Sequence, residues 1–196
     1  MRKFRTIEEL PMPTLTFIRH AETELNRDNR VAGSTDCNVT PEGLEAAKNA
    51  LSEEEKNFDV IYRSPLRRTV QTLEALIPNA SAIVDDRLTE MNFGEWEGRV
   101  VTDIDPAELD LCRQGKFTPR GGETAEHLKA RLCDFLDDMF RTYRGNERIL
   151  VVAHGGVIRA LKQIFGFPNP CGISRNLETL TITADDYERY EKRKKQ

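Results

Sequence analysis

The chain has 196 residues, of which 38% are hydrophobic and 32% charged, and its formal net charge is −4. This length suits one domain, the aliphatic content excludes global disorder, and the weakly acidic balance lacks the basic face typical of nucleic-acid-binding proteins. No run approaches the roughly 20 apolar residues that span a bilayer, and the N-terminus lacks the apolar segment of a secretory signal. Four scattered cysteines without a Cys-x-x-Cys pair predict reduced thiols and no zinc site, so we expect a cytoplasmic protein.

Strands and helices are predicted to alternate along a single domain that covers residues 1–196. Short apolar runs that favour β-structure predict strands at 15–18, 58–62, 82–84, 149–153 and 180–183. Apolar residues spaced three and four apart predict helices at 40–51, 66–77, 106–111, 123–143 and 157–165. Within the second of these helices, Leu66, Val70 and Leu73 are expected on the buried face.

The remaining segments are assigned by their composition. Residues 1–13 are expected to form an N-terminal extension, and the polar stretch 21–39 is expected to form a loop. Residues 91–122, rich in Gly, Asp and Arg, are expected to form a cap over the site. The highly charged tail 185–196 is expected to be either a frayed helix or a disordered end.

Alternating strands and helices predict a mostly parallel sheet covered on both faces, which is a three-layer α/β/α sandwich. In such sheets the chemistry gathers beyond the carboxyl ends of the strands. Three predicted strands end close to basic groups: Arg19-His20 follow the first, Arg67-Arg68 come shortly after the second, and His154 follows the fourth. We expect these side chains to converge at one edge of the sheet.

The converging groups match the needs of a phosphomonoester. Phosphoryl transfer is catalysed mainly by positioning and by cationic or amide donors on the phosphoryl oxygens. The guanidinium groups of Arg19 and Arg68 suit phosphate, and Gly155-Gly156 after His154 offer backbone N–H groups at a helix start. A neutral imidazole can act as the nucleophile, and a carboxylic acid must then protonate the leaving oxygen.

Five blocks of the sequence, in chain order, resemble the motifs of the histidine phosphatase superfamily. They read FIRHAET with Asn26 shortly after, SPLRRTVQT, LTEMNFGEWEG, GGET and VVAHGGVIR, and they begin at residues 17, 64, 88, 121 and 151. The resemblance implies a phosphoglycerate mutase-like domain that works through a phosphohistidine. Chain length and the block around Asn92 suggest a likeness to small phosphatases such as α-ribazole phosphatase.

The resemblance also implies a role for each matching residue. His20 would accept the phosphoryl group, while Glu90 would protonate the leaving group and later take a proton from the attacking water. The motif spacing favours Arg68 over Arg67 as the phosphate ligand. The phosphoryl oxygens would be held by Arg19, Asn26, Arg68, His154, the amide of Gly155 and Thr23.

Two departures from the family pattern concern the substrate. Ala21 stands where the family usually has glycine, so its methyl group is expected to crowd the loop or narrow the pocket. Residues 30–40 keep only part of the usual pattern in a segment that shapes the substrate rim. The predicted cap carries cations that could bind a second anionic group, although such charges are more often solvated: Arg99, Arg113, Lys116 and Arg120.

The sequence thus predicts a metal-independent phosphatase that acts on a small phosphorylated metabolite and needs no cofactor. Its nearest rival is a cofactor-dependent phosphoglycerate mutase, which would return the phosphoryl group to the substrate. A protein-phosphohistidine phosphatase, a metal-dependent hydrolase and a non-catalytic relative that binds a phosphorylated ligand or a protein also remain open. The oligomeric state is not determined by the sequence, and a homodimer is one option.

Overall fold

A computed structural model describes residues 12–194, so the predicted N-terminal extension lies almost entirely outside the described residues. The central sheet of the protein has five strands in the order β3-β2-β4-β1-β5. Strand β5 runs antiparallel to β1, and the other pairings are parallel. The strands are β1 (Thr14–Arg19), β2 (Val60–Arg63), β3 (Ile83–Val84), β4 (Arg148–Ala153) and β5 (Thr179–Ile182). Each of them overlaps a strand predicted from the sequence.

Helices connect the strands and cover the sheet. They are α1 (Glu24–Arg27), α2 (Pro41–Lys48), α3 (Arg67–Leu76), α4 (Pro106–Arg113), α5 (Ala125–Thr142), α6 (Gly155–Phe165) and α7 (Ala184–Lys194). The start of α2 follows its sequence signal, because the hydroxyl of Thr40 accepts from the amide of Gly43 at 3.0 Å and Pro41 occupies the first turn. Short 3₁₀ turns lie at Asp86–Leu88, Gly94–Trp96 and Val101–Asp103.

The core is divided by the sheet into two apolar layers. On β4, Ile149 and Val151 face a layer built with α5, α6 and α7, while Leu150 and Val152 face a layer built with α3. This alternation follows from the two-residue period of a strand. Helix α2 packs against α3 on the second face. The predicted three-layer α/β/α fold is therefore confirmed.

Two predictions about helices need correction. The loop predicted at 21–39 contains the short helix α1, which begins after a capping box between Thr23 and Asn26. Val70, expected on the buried face of α3, is 39% exposed. The buried face of this helix instead includes polar side chains, among them Arg68 and Thr72, because that face turns toward the predicted site.

Segment 91–122 and residues 185–194 of the charged tail are both ordered parts of the fold. Segment 91–122 holds α4 and two 3₁₀ turns, and it has its own small core in which Trp96 stacks on Phe117 at 5.5 Å. The charged tail forms α7, which is anchored by the buried Tyr190 and by Tyr187 stacked on Phe140. The charged residues of α7 therefore lie on a helix with one apolar face.

Candidate active site

The site lies where three parallel strands end side by side. His20 follows β1, Ser64 follows β2, and His154 follows β4, which lies between the other two strands in the sheet. The rings of His20 and His154 are 5.3 Å apart between centroids. The expected convergence at the carboxyl edge of the sheet is therefore observed.

His20 is held as a neutral imidazole with one free nitrogen. Its Nδ1 lies 2.7 Å from the carbonyl oxygen of Ala21, and because a carbonyl can only accept, Nδ1 carries the proton. The pKa of His20 lies well below its usual value, chiefly because the ring is buried and also because Arg68 and Arg19 are close. The other nitrogen, Nε2, therefore keeps its lone pair at neutral pH, as a nucleophile requires.

Of the two adjacent arginines, Arg68 lines the cavity between the strand ends and Arg67 does not. Its side chain is fully buried and donates from Nη1 to the Thr35 carbonyl at 2.8 Å and from Nη2 to the Gly33 carbonyl at 2.6 Å. Its Nε donates to Nδ1 of His154 at 3.2 Å. Arg67 has a 59% exposed side chain. A guanidinium has five N–H bonds. Because Nη1 of Arg68 also donates to Sγ of Cys37 at 3.9 Å, one N–H of Nη2 remains available to a phosphoryl group.

His154 is engaged by protein groups at both ring nitrogens. Its Nδ1 accepts from Arg68, so Nε2 carries the proton of the neutral ring and donates to the hydroxyl of Ser64 at 2.7 Å. Burial, together with the nearby Arg68 and His20, holds the pKa of His154 well below its usual value. Direct contact of His154 with a phosphoryl oxygen would require one of these two bonds to open.

Arg19 and Glu90 both line the cavity and come from different segments of the chain. Arg19 donates from Nη1 to the carbonyl of Ser174, and its Nε has no hydrogen-bond partner among the described residues. Glu90 is nearly buried, and its two carboxylate oxygens accept from the backbone amides of Met91 at 2.8 Å and Gly156 at 2.9 Å. The second glycine after His154 therefore serves the carboxylate, and Gly155 remains for an anion.

Asn26 and Thr23 have separate positions. The hydroxyl of Thr23 accepts from the amide of Asn26 at 3.2 Å, and this fully buried side chain caps α1. The Asn26 oxygen accepts from Thr23 and from Asn176, each at 3.2 Å. Its NH₂ group is therefore the part that can donate to a phosphoryl oxygen.

These groups surround a cavity of about 170 Å³. Six of the residues predicted from the sequence line it, whereas Thr23 and His154 do not. The six are Arg19, His20, Asn26, Arg68, Glu90 and Gly155. The methyl group of Ala21 was expected to crowd the loop or narrow the pocket. It does not line the cavity and is instead buried in an apolar cluster with Val39 and Ala47.

Several contributors were missed by the sequence reasoning. Ser64 begins a recognised motif directly after a predicted strand, and this position could have identified it as a site residue. No sequence pattern indicated the carbonyls of Gly33 and Thr35. They accept from Arg68 because the backbone passes close to it, and side-chain identity does not reveal that path. Glu97 was also missed, although it accepts from the amides of Ser34 at 2.8 Å and Thr35 at 2.9 Å and so fixes that path.

Three further features of residues 12–194 bear on the predicted class of protein. Within this part of the chain, no three His, Cys, Asp or Glu side chains cluster so that they could hold a metal ion. All four cysteines are free thiols. None of the described helices combines the length and apolar character needed to cross a membrane.

Comparison with known proteins identifies the family. The model of the histidine phosphatase superfamily (branch 1) matches residues 15–196. The chain belongs to this superfamily, and the resemblance drawn from the five motifs is confirmed. It is 33% identical to phosphoserine phosphatase 1 of Hydrogenobacter thermophilus over 158 residues, which cover 76% of this chain and 74% of that protein.

Further relatives include both mutases and phosphatases. A 2,3-bisphosphoglycerate-dependent phosphoglycerate mutase of Rhizobium etli is 32% identical over 170 residues, covering 78% of this chain and 79% of the mutase. Among solved structures, a mycobacterial glucosyl-3-phosphoglycerate phosphatase superposes with a TM-score of 0.78 at 26% identity. That match covers 87% of this chain and 92% of the phosphatase.

Proposed function

We propose that this chain hydrolyses a small phosphomonoester through a phosphohistidine formed on Nε2 of His20. The observation that carries the proposal is the state of His20, a neutral ring with one free nitrogen that lines a cavity together with Arg19, Arg68 and Glu90. Membership of the histidine phosphatase superfamily and similarity to a phosphoserine phosphatase support the same reaction class.

In the first step, Nε2 of His20 attacks phosphorus as the bond from phosphorus to the leaving oxygen breaks. Arg19 and Arg68 stabilise the charge on the phosphoryl oxygens. The protonated carboxyl of Glu90 gives its proton to the leaving oxygen, so an alcohol departs. The Nδ1–H of His20 stays bonded to the Ala21 carbonyl and stabilises the positive charge that develops on the ring.

In the second step, water attacks phosphorus and the bond between phosphorus and Nε2 breaks. The Glu90 carboxylate takes a proton from that water, which restores the acid for the next turnover. Inorganic phosphate leaves, and His20 returns to its neutral form. Arginines provide the positive charge throughout, so we expect activity in the presence of a chelator.

The first experiment is hydrolysis of p-nitrophenyl phosphate in EDTA between about pH 5 and 8. We expect turnover by the wild type and loss of turnover in His20→Ala. The matched control is His127→Ala, because the His127 side chain is 72% exposed and does not line the cavity. Equal turnover in His20→Ala and the wild type would show that His20 is not the nucleophile.

A phosphoglycerate mutase is the second candidate, since mutases occur among the relatives. It would use the same first step and differ in the group that accepts the phosphoryl. Conversion of 3-phosphoglycerate to 2-phosphoglycerate, stimulated by 2,3-bisphosphoglycerate and without matching phosphate release, would favour the mutase. Phosphate release without isomerisation would favour the phosphatase.

A further inference from the structure

The backbone beside His20 is held by two side chains that the proposed reaction does not use. Both contact the same peptide group, the one that joins His20 to Ala21. The amide of Ala21 donates to the Thr72 hydroxyl at 2.9 Å. The carbonyl of His20 accepts from Nδ2 of Asn176, also at 2.9 Å. Because the C=O and N–H of a trans peptide group point in opposite directions, the two side chains hold this group from two sides.

Thr72 is a fully buried residue on the polar face of α3. Its hydroxyl donates to the carbonyl of Arg68 at 2.6 Å while it accepts from the amide of Ala21. A hydroxyl has a single hydrogen, so the bond to Arg68 fixes the direction of the group. The hydroxyl therefore ties the backbone after the nucleophile to the helix turn that carries Arg68. Thr72 is the last residue of the SPLRRTVQT motif, and the function described above gives it no role.

Asn176 approaches from the segment just before β5, 156 positions along the chain from His20. The NH₂ group of an asparagine has two hydrogens, and the second bond of this group runs to Oδ1 of Asn26 at 3.2 Å. The next residue, Leu177, has a φ of 62°, which bulky side chains rarely adopt. Its amide donates to the Arg19 carbonyl at 3.1 Å. Asn176 thus belongs to a strained turn fastened to the end of β1, as is common at functional sites.

The Ala21 carbonyl decides which nitrogen of His20 carries the proton. It accepts from Nδ1 at 2.7 Å, and the hydrogen bond made by one ring nitrogen sets the protonation of the other. The amide of Ala21 is bonded to Thr72, and its methyl group is buried beside Val39 and Ala47. Since the amide and the side chain of Ala21 are both fixed, its carbonyl is kept within reach of Nδ1.

We propose that Thr72 and Asn176 are positioning residues for the nucleophile: they clamp the peptide group between His20 and Ala21, which keeps the proton on Nδ1 and the lone pair on Nε2. Buried backbone groups are paired in any fold, and a purely structural pair would affect stability alone. The clamp also predicts changes in the His20 tautomer and in the rate of phosphoryl transfer. The inference rests on the proposed function for that rate, whereas the tautomer can be measured without turnover.

Thr72 offers a matched pair of substitutions for the tautomer. Thr72→Val keeps the shape of the side chain and removes the hydroxyl, whereas Thr72→Ser keeps the hydroxyl. Heteronuclear NMR of the imidazole nitrogens at neutral pH shows which nitrogen carries the proton, and the His20 signals are those absent from His20→Asn. We expect the Nδ1–H form of His20 in the wild type and in Thr72→Ser, and a mixture with the Nε2–H form in Thr72→Val. His154, whose Nε2 donates to Ser64, is the internal reference and should stay unchanged.

The same proteins are compared in phosphatase assays. Thr72→Val should lower kcat/KM for p-nitrophenyl phosphate by about 10- to 100-fold, because a displacement of about 1 Å between reacting groups has effects of this order. Its inhibition constant for inorganic phosphate should stay within about twofold of the wild type, since both arginines of the phosphoryl position are retained. Thr72→Ser should keep most of the wild-type kcat/KM.

Asn176→Ala tests the clamp from the other end of the peptide group, and it replaces Thr72→Val if that protein does not fold by circular dichroism. It should shift the tautomer and lower kcat/KM in the same way. It should also raise the inhibition constant of phosphate, because Asn26 loses a hydrogen bond, and this rise should vanish when Asn26→Ala is already present. The control is Arg175→Lys at the neighbouring exposed position, which should change none of these properties.

Two results would overturn the clamp. One is a wild-type tautomer in the folded Thr72→Val and Asn176→Ala proteins, and the other is a wild-type kcat/KM in both. Absence of turnover in the wild type, together with a tautomer that changes in Thr72→Val, would overturn the proposed function and leave the clamp intact. Turnover that depends on His20 but on neither clamp residue, with an unchanged tautomer, would do the reverse.

Discussion

The backbone amide of Gly156 donates to Oε2 of Glu90 at 2.9 Å, so the first turn of α6 holds the carboxyl group of the proposed general acid. A Cβ atom on residue 156 would lie 2.3 Å from Oε1 of Glu90. Because Glu90 is a side chain that can swing aside, such an atom would displace the acid without preventing the fold. Gly155 has a different neighbour, since its Cβ would lie 3.3 Å from Nε of Arg19.

Alanine at positions 155 and 156 should therefore change different kinetic constants. Gly156→Ala should lower kcat for phenyl phosphate, whose leaving oxygen needs a proton, by about 100-fold, the usual contribution of general acid catalysis. Gly155→Ala should mainly raise KM and the inhibition constant of inorganic phosphate, because it crowds Arg19. Steady-state kinetics with thermal melting as a folding control would measure both. A wild-type kcat in Gly156→Ala would refute the assignment of Glu90.

Replacing Arg68 by lysine should cost about 100-fold or more in kcat/KM, as does removal of a single preorganised donor. An ammonium group also has three N–H bonds, but they start from one nitrogen and cannot replace the three separate nitrogens with which Arg68 reaches His154, Gly33 and Thr35. Arg67→Lys is the matched control, and it should stay within about twofold because its side chain is 59% exposed. A larger effect at residue 67 than at residue 68 would reverse the assignment of the two arginines.

The parts of the structure that local patterns determine were predictable from the sequence. Apolar runs that end in Arg19-His20 and in His154 gave the strands, and the parallel sheet then placed both histidines at one edge. Five ordered motifs gave six residues of the cavity wall. Arg68 was predicted as a phosphate ligand from its motif, but the buried polar face of α3 that it shares with Thr72 was missed, because apolar periodicity cannot recognise a helix face that turns toward a polar site.

The unpredicted parts depend on contacts between distant segments. Arg68 is held by the backbone carbonyls of residues 33 and 35. Every residue has such a carbonyl, so the sequence does not show which ones will contact an arginine. Thr72 closes a recognised motif, yet its bond to the Ala21 amide became visible only in the folded chain. The cap cations look equivalent in the sequence, and the fold alone separates Arg113, which lines the cavity, from the exposed Arg120.

Glu97 should act on phosphate binding through the loop that holds Arg68. Its carboxylate accepts from the amides of Ser34 and Thr35 and from both hydroxyl groups, and it accepts from the Phe93 amide at 3.1 Å. Although burial acts to raise the pKa of Glu97, hydrogen bonds from Thr35 and Ser34 outweigh it, and the pKa lies below its usual value. The group is therefore charged at neutral pH.

Glu97→Gln would place an NH₂ group against donors, which should destabilise the protein by about 1–3 kcal/mol. It should also raise the inhibition constant of inorganic phosphate, because the carbonyls that hold Arg68 are no longer fixed. Glu95→Gln, an exposed acid of the same turn, should change neither property. Loss of stability with unchanged phosphate inhibition would limit Glu97 to a structural role.

The two buried histidines should make the folded protein sensitive to acid. Since His20 and His154 have lowered pKa values in the folded state, they remain neutral there as pH falls through about 6.5, where unfolded histidine takes up a proton. The unfolded state then binds more protons, so the free energy of unfolding decreases as pH falls. Each histidine contributes up to about 1.4 kcal/mol per pH unit to this slope.

Urea unfolding in phosphate-free buffers at about pH 7.5, 6.5 and 5.5 would measure the slope over a range in which ordinary carboxyl groups stay ionised. The stabilising contribution is fully present above the unfolded pKa and is lost progressively below it. His20→Asn removes one of the two groups, so its slope should be about half that of the wild type, whatever its stability at pH 7.5. An equal slope in both proteins would mean that His20 takes up a proton in the folded state, and a nucleophile that is already protonated could not attack phosphorus at that pH.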